Sequence, residues 1–138
     1  MGDQEFRRLC GTGFPPEPGE TLVHQGDANL YLRRKQVDGR LLWHRIGIGG
    51  RLFLTSSRLL FHAHRFNVQS GVWTWPVGAI ASVEPVNTLA MIPNGLAVVL
   101  HDGERFRFDV YKRRAWMESI ERALSTARLR RSPGREVR

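Results

Sequence analysis

Cysteine is almost missing from this 138-residue sequence: Cys10 stands alone. One thiol forms no intrachain disulfide, and a zinc site built on cysteines is excluded with it. Lysine is nearly as scarce, since Lys35 and Lys112 are the two lysines among 21 basic residues. No apolar run approaches the ~20 residues that a membrane-spanning helix needs. Met1–Cys10 is polar and charged, unlike the apolar centre of a signal peptide. Met1-Gly2 opens like a myristoylation site, but Phe6 occupies the place where that motif needs Ser or Thr. Basic residues are wholly absent from Phe66 to Glu104. These absences point to one soluble, cytoplasmic domain. An apolar content of 41% with four Trp and seven Phe is enough for a real core and too much for a disordered chain.

The formal charge is +8, and it is unevenly spread. Lys112–Arg138 holds nine basic and three acidic residues, while the preceding 111 residues hold twelve and ten. Within that body Arg33, Arg34, Lys35, Arg40 and Arg45 crowd into thirteen residues with Asp38 opposing them. The charge therefore sits in two places, a mid-chain hairpin and an arginine-rich end.

The pattern of the chain is strands first and one helix last. Gly11–Gly19 is a Gly/Pro linker after a polar start. From Glu20 onward apolar residues alternate or form short runs between turn residues. Strands are expected at Glu20–Gln25, at Leu30–Lys35 and Arg40–Ile46 around Asp38-Gly39, and at Arg51–Thr55 and Arg58–His64 around Ser56-Ser57. Gly47–Gly50 is expected to break the pattern. Val72–Val77 and Ile80–Val86 are further strands, and Met91–Gly95 reads as a turn. Leu96–His101 and Arg105–Val110 form a hairpin around Asp102-Gly103. A bulged three-residue turn there puts Leu96, Val98 and Leu100 on the face of Phe106 and Phe108, which favours it over a two-residue turn. Lys112–Arg128 changes period: Trp116, Ile120, Ala123, Leu124 and Ala127 make one stripe of an amphipathic helix, and Pro133-Gly134 is expected to end regular structure. The outline is mainly β, about seven to nine strands in a sandwich or barrel with one C-terminal helix over an open end. The domain is expected at 20–127, after an N-terminal segment at 1–19 and before an Arg-rich flexible tail at 128–138.

Gly50-Arg51-Leu52-Phe53-Leu54-Thr55-Ser56-Ser57-Arg58-Leu59-Leu60-Phe61 resembles the G-[KR]-L-[YF]-L-T-x-x-R-L-[LI]-F segment of GRAM domains. Trp75-Pro76-Val77 with Ile80, Val83 and Glu84 is similar to that family's I-P-L-x-x-I-x-x-V-E segment. Asn87-Thr88-Leu89, Ile92–Leu96 and Phe106–Phe108 followed by Arg114 and Trp116 are similar to its bacterial branch. The likeness runs from about Glu20 to Leu124; a longer hairpin at Leu30–Ile48 departs from it. The resemblance implies the pleckstrin-homology fold, a bent antiparallel barrel capped by a C-terminal helix into which Trp116 packs. It also implies a binding module rather than an enzyme, and phosphoinositide-binding members of that fold use basic residues around their first hairpin.

On that reading the candidate site for anionic lipid is Arg33, Arg34, Lys35, Arg40 and Arg45, each cation contributing about 1 kcal/mol near an anionic membrane. A solvated, aggregation-resistant edge hairpin is the plain alternative. The arginines from Arg128 onward can neutralise phosphates or serve as a solubilising tail. No helix-turn-helix, zinc-finger or RNA-recognition signature is present, so sequence-specific nucleic-acid binding is not expected. His62 and His64 share a strand face but lack further ligands for a metal, and His101-Asp102 lacks a nucleophile motif. Gly47–Gly50 has no Gly-Lys-Ser/Thr ending, so it is not a phosphate loop. The expectation is a non-catalytic module without metal or cofactor, peripheral at the inner face of the membrane. The alternative is a protein-interaction or self-association module, using the groove between a sheet edge and the helix.

Overall fold

The computed structural model describes residues 17–37, 40–43, 48–63, 71–88 and 92–136, with backbone alone at 32–37, 40–43, 88 and 131–136. The strands are β1 (Leu22–Val37), β2 (Arg40–Trp43), β3 (Ile48–Thr55), β4 (Arg58–Ala63), β5 (Val72–Pro76), β6 (Ile80–Thr88), β7 (Ile92–Leu100) and β8 (Arg105–Val110). A 3-10 turn, Val77–Ala79, joins β5 to β6, and a helix, α1 (Arg113–Glu136), follows β8. The antiparallel sheet runs β5-β4-β3-β1-β8-β7-β6, with β2 paired to the end of β1. Twist of ~20–25° per strand curls so wide a sheet on itself. The fold is thus mainly β with one C-terminal helix.

The local chemistry explains the hairpins. Between β7 and β8 the pairs Val98↔Phe106 and Leu96↔Phe108 are the register of the bulged turn. Gly103 takes φ +94°, a conformation that costs glycine nothing, and Asp102 Oδ1 accepts the Glu104 N–H at 2.9 Å. Phe106, Phe108 and Val110 are consequently buried while the alternating residues face outward. Between β3 and β4, Ser56-Ser57 makes the turn, and Thr55 Oγ1 accepts the N–H groups of Ser57 and Arg58 at 3.1 and 3.0 Å.

Three expectations change. The strands expected at Glu20–Gln25 and Leu30–Lys35 are one 16-residue strand; β1 is paired by β3 on one side and β8 on the other, and that pairing overrides the turn-like composition of Gly26-Asp27-Ala28-Asn29. Gly49 and Gly50 lie within β3. A Cβ on Gly50 would strike the His62 carbonyl oxygen and lie 2.7 Å from Phe61 Cζ and 2.8 Å from Ala63 Cα, so the glycine allows β4 to approach rather than breaking a strand. Ile92–Gly95, read as turn, opens β7; Pro93 fits because β8 pairs with β7 from Gly95 onward and leaves that stretch unpaired on its side.

The core fills the inside of the curl. Leu30, Leu52, Leu54, Leu59, Phe61, Leu96, Val98, Phe106 and Phe108 form it, and Trp116, Ile120 and Leu124 of α1 seal it. Trp75 stacks on Phe106 with centroids 4.2 Å apart, and both Trp73 and Trp75 pack against this cluster. Phe53 and Leu60 are buried in a second small cluster with Leu22 and Val72. The helix also exceeds its expected end: it passes Arg128 and Pro133 and runs to Glu136. Leu129, Arg130 and Arg131 are good helix formers; nothing in the structure explains why the helix continues through Pro133-Gly134, which disfavour a helix interior.

Candidate functional site

β1 is longer than the sheet that holds it. Its pairing with β3 ends at Leu30↔Ile48 and that with β8 at Leu32↔Phe106. From Arg33 to Val37 its partner is β2, through Arg33↔Trp43, Gln36↔Leu41 and Val37↔Arg40, with a register shift between Arg33 and Gln36. This end of the hairpin is thus a two-stranded ribbon beyond the rest of the sheet. Arg33, Arg34 and Lys35 are on its first strand and Arg40 on its second; Arg45 lies outside the described residues. The backbone brings four of the five candidate cations onto one paired element.

A different constellation occupies the other end of β1. Glu20, with a fully buried side chain, accepts hydrogen bonds from Thr55 Oγ1 at 2.6 Å and Arg58 Nε at 2.9 Å. Its other carboxylate oxygen accepts the Glu17 N–H at 2.8 Å. Burial pushes the Glu20 pKa up, but the hydrogen bonds from Thr55, the Glu17 amide, Arg58 and Ser57 outweigh it and hold the carboxyl below its ordinary value. This network ties the β3–β4 turn to the start of β1. Sequence reasoning missed it, although Thr55-x-x-Arg58 is part of the segment that carries the resemblance.

A broad groove of about 730 Å³ lies over the middle of β1 beside the start of α1. Trp116 lies at its base, with the His24 ring edge-on at 4.3 Å. Burial there pushes the His24 pKa below its ordinary value. Two of the acidic groups on this groove are paired with arginine: Arg51 donates to Gln25 Oε1 at 2.6 Å and to Asp27 Oδ1 at 2.9 Å, and Arg107 pairs with Asp109 at 2.8 Å; Lys112 lines it as well.

The remaining candidates have plain roles. His62 is half-buried on β4 between Arg51 and Val72 of the flanking strands; His64 lies outside the described residues. Among the described residues no group of three His, Cys, Asp or Glu is placed to hold a metal. His101 N–H donates to the Ala79 carbonyl at 3.0 Å, and Asp102 caps its own turn. Among the described residues no helix is long and apolar enough to cross a membrane.

The family model for the GRAM domain matches residues 5–128. The chain belongs to the GRAM-domain family. No curated protein matches it. Among solved structures, a C-terminal domain of an unknown protein from Leishmania infantum is similar with 17% identity and a TM-score of 0.62, over 90% of this chain and 97% of that one. The linker-DH/PH structure of p115-RhoGEF is similar with 12% identity and a TM-score of 0.55, over 90% of this chain and 36% of that one. An R399E DH/PH structure of the same protein gives 16% identity and a TM-score of 0.53, over 88% of this chain and 34% of that one. At such identities the likeness is one of fold, pleckstrin-homology-like. Within the GRAM segment of this chain, Gly50, Thr55 and Arg58 are fold residues: one clears a close strand crossing, and the other two hold Glu20.

Proposed function

We propose that this GRAM domain is a non-catalytic module that associates peripherally with anionic membrane lipid through the β1–β2 ribbon, at the inner face of the membrane. The observation that carries the reading is the ribbon itself. Arg33, Arg34, Lys35 and Arg40 stand on a ribbon that, among the described residues, pairs with no other strand of the sheet, so it can meet a surface without disturbing the core. Arg45 is included in the proposed site on charge alone.

Co-sedimentation with vesicles of phosphatidylcholine, alone or mixed equally with phosphatidylserine, tests it at low and high salt. The protein is expected to pellet with the mixed vesicles at low salt and to be released by salt, because exposed charges are screened beyond a Debye length. Charge reversal at Arg33, Arg34 and Lys35 should abolish pelleting. Wild-type protein that stays in the supernatant at low salt refutes the reading.

A second reading uses β5, which among the described residues pairs with β4 alone and stands at a sheet edge. An extended peptide adding there would be held by backbone hydrogen bonds and would resist salt, which separates the two readings in one titration.

A further inference from the structure

The sequence shows two basic clusters far apart in the chain; the fold connects them. The inward stripe of α1 is Trp116, Ile120 and Leu124, all buried. Beyond Leu124 the helical backbone carries Arg128, Arg130, Arg131 and Arg135. Arg128 and Arg130, the two whose side chains are described, are both exposed. The nine residues Arg128–Glu136 contain four arginines and one glutamate and add ~13 Å of helix. None of the ion pairs among the described residues involves Arg128 or Arg130. Leu129, between them, is 66% exposed. An exposed leucine among arginines on a helix suits the boundary of an anionic bilayer, where the cations meet phosphate and the apolar side chain meets acyl chains.

The position of this helix end is fixed by Arg128, whose Nη2 donates to the Ala81 carbonyl at 3.2 Å. Ala81 is at the start of β6. From there the pairs Ile80↔Leu100, Val99↔Arg105 and Leu32↔Phe106 lead across β7 and β8 to the residue of β1 that precedes the ribbon. The β6 residue that Arg128 holds and the base of the ribbon therefore stand on one rim of this half of the sheet, three strand spacings or ~14 Å apart along it.

We propose that the end of α1, Arg128–Glu136, is a second membrane-contacting element that engages the same anionic bilayer as the ribbon. The inference rests on the ribbon reading. Two tethered contacts on one surface reinforce each other, because once one is bound the second acts at high effective concentration. The bilayer is favoured over single-stranded nucleic acid because the exposed apolar residue between the arginines is aliphatic, whereas strand binding relies on aromatic stacking.

The test is the apparent affinity for vesicles of equal phosphatidylcholine and phosphatidylserine across a salt series. It compares wild type, a ribbon variant (Arg33→Gln, Arg34→Gln, Lys35→Gln), a helix-end variant (Arg130→Gln, Arg131→Gln, Arg135→Gln) and Leu129→Ser. Circular dichroism and thermal unfolding establish that each variant is folded. Loss of three cations near the surface should weaken binding roughly a hundredfold, and the helix-end variant should show a shallower salt dependence. Leu129→Ser should weaken vesicle binding without changing the salt slope, and soluble glycerophosphoserine should compete poorly. A helix-end variant that binds like wild type while the ribbon variant fails overturns this inference and leaves the ribbon reading standing. A ribbon variant that binds like wild type overturns the ribbon reading and, with it, the joint contact. A helix-end variant that loses affinity for a single-stranded oligonucleotide but not for vesicles overturns the choice of partner.

Discussion

Replacing Glu20 by Gln tests the network at the base of β1 without changing the shape of the side chain. The carboxylate is fully buried and Arg58 is 13% exposed, so the substitution leaves a guanidinium in a poorly solvated place without its counter-charge. Breaking a buried pair in this way costs about 3–5 kcal/mol; the partial exposure of Arg58 puts the expected loss near the lower end. For a domain of this size that is a fall in Tm of about 10 °C. Arg58→Met should cost a similar amount. The double variant Glu20→Gln/Arg58→Met should lose much less than the sum of the two single effects, because no buried charge remains. The sign with pH follows from the depressed pKa. A carboxyl held below its ordinary 4.5 contributes stability above that value, and the contribution is lost as pH falls through the folded-state value. The gap between wild type and Glu20→Gln should therefore close on acidification below about pH 4.5. Urea titrations of the four proteins at neutral and acid pH measure all of this. A Glu20→Gln variant within about 0.5 kcal/mol of wild type at neutral pH, or a gap that persists unchanged in acid, refutes the reasoning.

Two further outcomes are expected. Gly50→Ala should destabilise by about 2–3 kcal/mol, because its Cβ meets the backbone of β4, whereas Gly49→Ala, whose nearest neighbour is Asn29 Oδ1 at 3.3 Å, should be tolerated; equal melting temperatures for the two would show that the clearance argument is wrong. His24 is half-buried against Trp116 and titrates below 6.5 in the folded state, so stability should decline as pH falls from about 6.5 through that lower value. His24→Gln should remove this segment of the pH profile, and an NMR titration with a midpoint at or above 6.5 would contradict it.

Local chemistry was legible in the sequence where local chemistry decides. The β7–β8 hairpin was readable down to its bulge because Asp102-Gly103 and the alternation of Phe106 and Phe108 agree. The β3–β4 hairpin and the stripe of Trp116, Ile120 and Leu124 were readable for the same reason. Where partners on both sides decide, composition misleads: Gly26–Asn29 looks like a turn, yet it is held in β1 by β3 and β8. Gly50 looks like a breaker, and it is a clearance. Pro93-Asn94-Gly95 looks like a turn, and it is the part of β7 that β8 does not reach. The ribbon cations could be picked out by charge density alone, but not the backbone that pairs them. The closeness of ribbon and helix end was not legible, since it depends on three successive strand pairings and one arginine-to-carbonyl hydrogen bond. Glu20 carried no motif of its own and emerged once its carboxylate was seen between Thr55 and Arg58.

Hydrogen exchange in the presence of vesicles tests the central claim most directly. On vesicles of equal phosphatidylcholine and phosphatidylserine, amides of Arg33–Val37 and Arg40–Trp43 should gain protection, and on phosphatidylcholine alone they should not. Protection that appears along Val72–Pro76 instead, or nowhere, would contradict an anionic membrane surface as the ligand of the ribbon.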